Sequence, residues 1–374
     1  METKNNTQPQ PVQVVATFAA IDKVVTSNVV YPTEVKVSGR DYISWGTKND
    51  YPDYINELRR GAATLRSVIN GCCDYIVGNG VQCNLPYESR AMNREGHTPG
   101  HIVRLLARDL MLYGGFCYEV IRSKDGTPVE VYALDFRFIR TNKDRSVFWY
   151  SEDWTKRFGK KDDVILPRFD KEAKEVAESV VYYCNSDSQV YPECPFDGAI
   201  IAAELERAID EYHWNSMNNG FSGSYIINMN NGVPTDEIRE EVERNFNQKF
   251  SGHKNAGRIM FSWNADRDHM ATIQEIKSSD FADKYDALSK RSRQQIFTAY
   301  RANPNLFGIP TENLGFSSEE YESAFKLFNR TVIQPAQQVI IDAFQAALSA
   351  DMIIRPFTLD GAEENVNKPS TKEE

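Results

Sequence analysis

NPNLFGIPTENLGFSSEEYE, residues 303–322, is the stretch on which the fold turns. Its Asn, Pro and Gly residues favour turns. It also holds Leu306, Phe307, Ile309, Leu314 and Phe316, which an ordinary surface loop has no use for. On its N-terminal side, Phe281, Tyr285, Leu288, Ile296 and Ala299 recur at helical spacing and predict a helix over 279–302. At 1.5 Å per residue that rod is roughly 35 Å long. On its C-terminal side, Tyr321, Phe325, Phe328, Val332, Val339, Ala343 and Ala347 predict one long helix over 318–350. Ser317 or Ser318 can cap it ahead of Glu319 and Glu320. Pro335 lies inside this helix and predicts a kink, because its ring removes one backbone hydrogen bond and crowds the preceding turn.

Working outward, residues 54–77 read as a helix ended by Gly78 and Gly80, and 101–113 as another with Pro99 near its first turn. FCYEVIR (116–122) and VEVYALD (129–135) form a hairpin around Asp125-Gly126, and strand-like pieces continue to VVYYC (180–184). Residues 196–219 carry a helical stripe of Ile201, Leu205, Ala208 and Tyr212. A β-α-β unit follows over 220–278. It comprises SYIINMN, a helix with Ile238, Val242, Phe246 and Phe250 four apart, GRIMFSW containing Arg258, and TIQEIK. Residues 1–16 are polar and read as a disordered arm; 351–374 read as an acidic tail without a core-forming pattern.

The 374 residues suggest two or three domains, and 41% hydrophobic residues suffice for a sizeable core. Apolar runs fall far short of the ~20 residues of a membrane span, and the N-terminus lacks the apolar stretch of a signal peptide. The net charge of −10 argues against a surface that grips nucleic acid throughout. Cys72, Cys73, Cys83, Cys117, Cys184 and Cys194 fit no zinc spacing and read as buried thiols.

Catalytic signatures are weak. GTK (46–48) and GKK (159–161) lack the frame of a phosphate loop, and GNGVQC (78–83) follows a helix rather than a strand. Ser222 in GFSGS has no neighbouring His, and His97 and His101 straddle a helix start. Asp280, Asp283 and Asp286 could bind Mg²⁺ in a metal-dependent nuclease or nucleotidyltransferase, but acidic groups in a first helical turn are favoured anyway. Lys284, Lys290, Arg291, Arg293 and Arg301 make the most basic helix segment, either a charged face paired with acidic neighbours or a belt near nucleic acid. With no catalytic set and no cofactor expected, a structural role is favoured over an enzyme; a non-viral oligomeric scaffold is a further alternative.

Several stretches, in order, carry a likeness: SWGTKNDYPDYINEL (44–58), LMLYGGFCYEVIRSKDGTPVEVYALD (110–135), FSGHKNAGRIMF (250–261), NPNLFGIP, and a last helix with Ser-Glu-Glu-Tyr and Ile-Gln-Pro. Over about residues 40–350 the chain resembles the portal, or head-to-tail connector, proteins of tailed bacteriophages and prophages. The resemblance implies an α+β fold with a wing (17–195 plus the kinked helix 318–350), two stem helices (196–219 and 279–302) and a β-α-β clip (220–278). It implies that 303–317 is a tunnel loop facing DNA on a ring axis, with Asn303, Asn305, Leu306, Phe307, Asn313, Leu314 and Phe316 as its contact candidates. The five basic residues of the second stem helix would face the channel. Ile238, Val242, Phe246, Phe250 and Arg258 would serve clip docking and oligomer contacts. The implied assembly is a virion ring, usually of twelve subunits, at one capsid vertex, put together in the host cytoplasm. Its implied partners are double-stranded DNA held non-specifically, the large terminase, major capsid and scaffolding proteins, and head-completion or tail-adaptor proteins, with no membrane. Twelve copies would carry a formal charge on the order of −120, a bore that lets DNA slide. Only a short segment follows Ala350, so a helical crown is expected to be a stub or absent.

Overall fold

The break in the first helical layer shows how distant residues set local structure. Residues 54–77 were expected as one helix, but the computed structural model has two, α1 (Tyr51–Gly61) and α2 (Ala63–Val77), separated by Ala62 at φ −100°, ψ 109°. Ala62 has no side chain to cap α2. A carboxylate far along the chain does so instead: Glu206 Oε1 accepts from Thr64 N at 3.1 Å and from Thr64 Oγ1 at 2.7 Å. A negative group there also suits the positive end of the helix. Next to it, a Cβ on Gly61 would stand 2.5 Å from Arg207 Cδ, so a larger residue here would force the Arg207 side chain to move.

The structure describes residues 29–36, 39, 41–84, 91–154, 164–218, 225–229, 232, 234–250, 259–264, 279–309, 318–349 and 351–358. Against α2 packs α3 (Pro99–Tyr113), whose N-terminus is capped by Thr98 Oγ1 accepting from His101 N. Gly114, at φ +83°, ends α3 where a Cβ would meet the Glu193 carbonyl oxygen, and the chain turns directly into β4 (Gly115–Arg122). β4 is the centre of an antiparallel sheet between β5 (Pro128–Leu134) and β9 (Glu178–Cys184). The expected hairpin and its partner strand are therefore present. A second sheet joins β6 (Ile139–Thr141), β7 (Val147–Tyr150) and β8 (Val164–Pro167). Two short strands, β1 (Glu34–Lys36) and β2 (Ile43–Trp45), pair alongside it.

The core lies between α2, α3, the β4 sheet and a long C-terminal helix. Trp45 stacks on Tyr191 at 4.6 Å, and Tyr118 stacks on Phe344 at 4.8 Å while donating its hydroxyl to Ala343 O. Fully burying a side chain such as Phe344 contributes about 2–3 kcal/mol. Arg140 is fully buried with no carboxylate in contact among the described residues; its guanidinium donates to Asn49 Oδ1 and to the carbonyls of Asn49, Arg137 and Ile139. Four cysteines are buried as expected, but Cys83 and Cys184 are only half-buried, and all six are free thiols.

From this body α4 (Ile200–Asn218) leads out and α6 (Ser279–Ala299) returns. Between them, β10 (Tyr225–Met229) and β11 (Ile259–Trp263) pair in parallel, joined through α5 (Asp236–Phe250). The third expected strand of that unit, 272–277, lies outside the described residues, as does the arm 1–16.

The C-terminal helix corrects a phase assumption. It consists of α7 (Ser318–Phe328), a π turn (Asn329–Ile333) and α8 (Gln334–Leu348), with Pro335 in the first turn of α8. Gln334 N donates to Asn329 O, five residues back. Phe328 and Ile333 are both buried, and beyond the turn the buried face is Ala336, Ile340, Phe344 and Ala347. Val332, Val339 and Ala343, expected on that face, are only half-buried, because the extra residue of the π turn advances the stripe by one. The expectation for 351–374 is corrected at its start. Asp351–Ile354 form β12, antiparallel to β3 (Val81–Asn84), and Met352 is buried. No helix among the described residues is long and apolar enough to cross a membrane.

Candidate functional site

The site is the pair of rods α4 and α6, their roots in the body, and the turn that follows α6. Small residues let the rods approach: Ala202 and Ala203 of α4 and Ser292 of α6 are buried. Ile209, Ile296 and Phe297 fill the rest, and higher up Tyr212 stacks on Tyr285 at 4.9 Å. At the root, Tyr300 donates to Met111 O at 2.8 Å and stacks on Phe196, tying the end of α6 to α3.

The stripe expected on α4 faces the other way. Ile201 is 73% exposed, Tyr212 49% and Trp214 67%. The buried stripe is Ala202, Ala203, Glu206 and Ile209. On α6, Leu288 is also exposed. Within one chain, then, the largest apolar residues of α4 meet solvent.

The opening stretch divides in two. Asn303 Oδ1 accepts from Asn305 N at 3.0 Å and caps a 3-10 turn, Pro304–Phe307, closed by Gly308 at φ +73°. Leu306 is buried, and its carbonyl accepts from Tyr75 Oη at 2.6 Å. Phe307 packs edge-on against Phe297, Phe328 and Tyr75, and rests where Gly71 has no Cβ. This corrects the expectation for Asn303, Asn305, Leu306 and Phe307, which belong to an anchor rather than a projecting loop. Polar caps and aromatic packing outweigh loop freedom there. Asn313, Leu314 and Phe316 lie outside the described residues. The signal that could have located the anchor is Gly71, a glycine inside an otherwise apolar helix, which marks a close approach.

The basic residues of α6 scatter around it. Arg291 is exposed, Arg293 donates to Ser289 Oγ, and Lys290 pairs with Asp286 at 3.7 Å. Lys284, Asp280 and Asp283 lie on α6 by backbone position. Arg301 ends the helix at φ +52°, exposed. On α5, Ile238 is exposed and Val242 half-buried; Phe246 and Phe250 are placed by backbone only, and Arg258 lies outside the described residues. No metal-binding cluster occurs among the described residues.

Beneath the rods, Asp109 is fully buried, accepting from Phe136 N at 3.1 Å and from Arg108 Nε at 2.9 Å. Burial, opposed by Arg108, pushes its carboxyl up to about 6. Burial raises the Cys73 thiol to about 12 and the Cys83 thiol to about 11, so both stay protonated at neutral pH. Sequence reasoning singled out neither Asp109 nor Arg140; a lone acid in an apolar helix is the only available cue.

Residues 93–367 match the family model described as phage portal protein. The chain belongs to the phage portal protein family. That family is structural, so this portal chain is not an enzyme. Solved structures agree on the fold. The chain is similar to one titled "Virion of native gene transfer agent (GTA) particle", at 16% identity and TM-score 0.52, covering 82% of this portal chain and 84% of that one. A second, "Neck of native GTA particle computed with C12 symmetry", gives 18% identity and TM-score 0.52, with 83% and 86% covered. A third, "Neck of empty GTA particle computed with C6 symmetry", gives 17% and 0.51, with 83% and 85% covered. No curated protein matches the sequence.

Proposed function

We propose that this portal chain is one subunit of a closed ring, most simply of twelve, that forms a channel for double-stranded DNA at one vertex of a virion. The observation that carries the reading is that α4 leaves large apolar side chains uncovered in a single chain on two different faces, Ile201 73% and Trp214 67% exposed. Ring closure joins unlike faces of neighbours, so each copy needs such an uncovered face and a complement to it. The rods act as the stem, the α/β insert over 225–263 as the clip that docks the large terminase and later head-completion or tail-adaptor proteins. The body acts as the wing that meets capsid and scaffolding proteins. Residues 310–317, including Asn313, Leu314 and Phe316, form the tunnel loop, held at one end by the anchored Pro304–Phe307 turn and at the other by α7. Channel passage is non-specific, and assembly takes place in the host cytoplasm.

The test is mass measurement and negative-stain imaging of the purified chain, alone and co-expressed with shell and scaffolding proteins. A closed ring with an axial hole is expected. Failure to form rings in both preparations overturns the reading.

A further inference from the structure

One edge of the β4 sheet is left open. At the two ends of the β4–β9 ladder, Arg122 N donates to Ala177 O and Asn185 N donates to Gly114 O. The odd-numbered residues of β9 therefore turn their main chain toward β4, and Val180, Tyr182 and Cys184 turn theirs away from it. The carbonyl of Val180 is taken: Phe169 N donates to it at 2.8 Å, where the chain leaving β8 touches β9. That contact is not continued. Arg122 donates to the carbonyls of Asp170 and Ala173, both at 2.6 Å, and its guanidinium lies 4.3 Å from the centre of the Phe169 ring. These bonds draw the chain toward the Arg122 end of β4 and away from Tyr182. Among the described residues, the N–H and C=O groups of Tyr182 and Cys184 have no hydrogen-bond partner.

Beside this edge lies a groove of about 530 Å³, bounded by β9, residues 168–171 and α8. Tyr118 stands opposite Val181 in the ladder and stacks on Phe344 of α8, so Val181 and Tyr183 are on the α8 face of the sheet. Tyr182 points the other way, its ring 5.3 Å from Phe136 and 5.1 Å from Phe148. What Tyr182 offers the groove is its main chain. From α8 come Val339, Ala343 and Ala346, a low apolar wall. The charges on the rim are unevenly engaged. Asp342 accepts from Gln338 Nε2 at 2.6 Å, and Asp170 accepts from Glu172 N at 3.0 Å. Arg168 and Lys171 are exposed and have no carboxylate partner among the described residues.

We propose that this groove receives an extended segment of another polypeptide, which adds to β9 as a strand. Its small apolar side chains would lie toward α8, and an acidic side chain would meet Arg168 and Lys171. An open strand edge binds any backbone that can reach it, and the side chains that alternate along the added strand supply the selectivity. A second copy of this chain fits poorly. Every described strand is already paired, and one docking edge to edge would carry its own sheet against α8. The groove lies within one subunit, so its occupation is independent of ring closure.

The test screens the purified full chain against a library of synthetic peptides of about nine residues, randomised at alternate positions. The peptides selected should alternate small apolar residues with at least one Asp or Glu. Ala346→Trp fills the groove from an exposed position and should weaken them about tenfold or more while the fold, read by circular dichroism, is kept. Two N-methylated forms of the best peptide, one modified at odd and one at even positions, leave the protein untouched. Only the form whose blocked amides face β9 should lose about tenfold, the signature of a strand bonded along one edge. Arg168→Glu/Lys171→Glu should turn the selection from acidic to basic peptides. No peptide whose binding depends on Ala346, or equal effects of the two N-methylated forms, overturns the proposal. Self-association of the wild-type chain that Ala346→Trp abolishes would make a second copy the occupant and overturn it as well.

Discussion

Asp109 shows at the scale of one residue how burial becomes a pH dependence. Its carboxyl is held up at about 6 from an ordinary 3.8, chiefly by burial. The folded chain therefore binds this proton more tightly than the unfolded chain. The contribution is fully present below pH 4 and drains away as pH rises to about 6; the gap corresponds to at most about 3 kcal/mol. Asp109→Asn keeps an acceptor but no charge, so its stability should rise relative to wild type on going from pH 4.5 to 7. Thermal unfolding of both proteins at the two pH values decides this, and parallel curves would refute it. Gly71 makes a second case. A Cβ there would stand 2.5 Å from Phe307 Cδ1. Gly71→Ala should cost about 1–3 kcal/mol by overpacking, and Phe307→Leu in the same chain should recover part of it. Additive losses in a double-mutant cycle would mean the two positions do not press on each other. Each left only a faint cue in the sequence, a glycine and a lone acid in apolar helices, because what makes them matter is the packing around them: Phe307 against Gly71, and full burial of Asp109 beside Arg108.

At the scale of the element, hydrophobic periodicity found the helices and the longer strands, but neither the short strands β2, β3, β6 and β12 nor the phase of the helices. On α4 the large apolar side chains were read as the stripe, yet alanines and Glu206 do the packing. Close approach of α4 and α6 favours small residues, and the cap on α2 needs a carboxylate. On the C-terminal helix, Pro335 marked an irregularity, but the step is also written in the five-residue interval between buried Phe328 and Ile333. A regular α-helix would need three or four there. Deleting Thr331, which is exposed and bonds only back to Leu327 O, shortens the interval to four. The deletion should convert the π turn to α-helix while keeping both flanking stripes in the core. Its melting temperature should fall by only a few degrees, whereas deleting Ala343 from regular α8 rotates the helix by about 100° after that point and should unfold the region. Circular dichroism melts of the two deletions test the contrast; equal damage would mean the π turn is not a register device.

For the whole molecule, the sequence made the order of parts readable because rods, hairpin and α/β insert each carry a local pattern. The anchoring of Pro304–Phe307 was not readable, since it depends on Tyr75 and Gly71 in a helix more than two hundred residues earlier. That anchoring also sharpens the case for assembly. With Leu306 and Phe307 spent inside the subunit, the rods still leave large apolar side chains uncovered, Ile201 and Trp214 about 20 Å apart along α4 and on different faces of it. Single exposed apolar residues are common, but large ones left open on two faces of one rod suit contacts with two neighbours. Ile201→Glu and Trp214→Glu place charges at those two exposed positions without replacing any residue of the buried stripe of Ala202, Ala203, Glu206 and Ile209. Each should leave the melting temperature of the isolated subunit within about 2 °C of wild type, because surface substitutions cost little, and together they should abolish the closed ring. Mass measurement at matched concentration reads the outcome: rings that persist in the double variant would move the subunit interface away from α4.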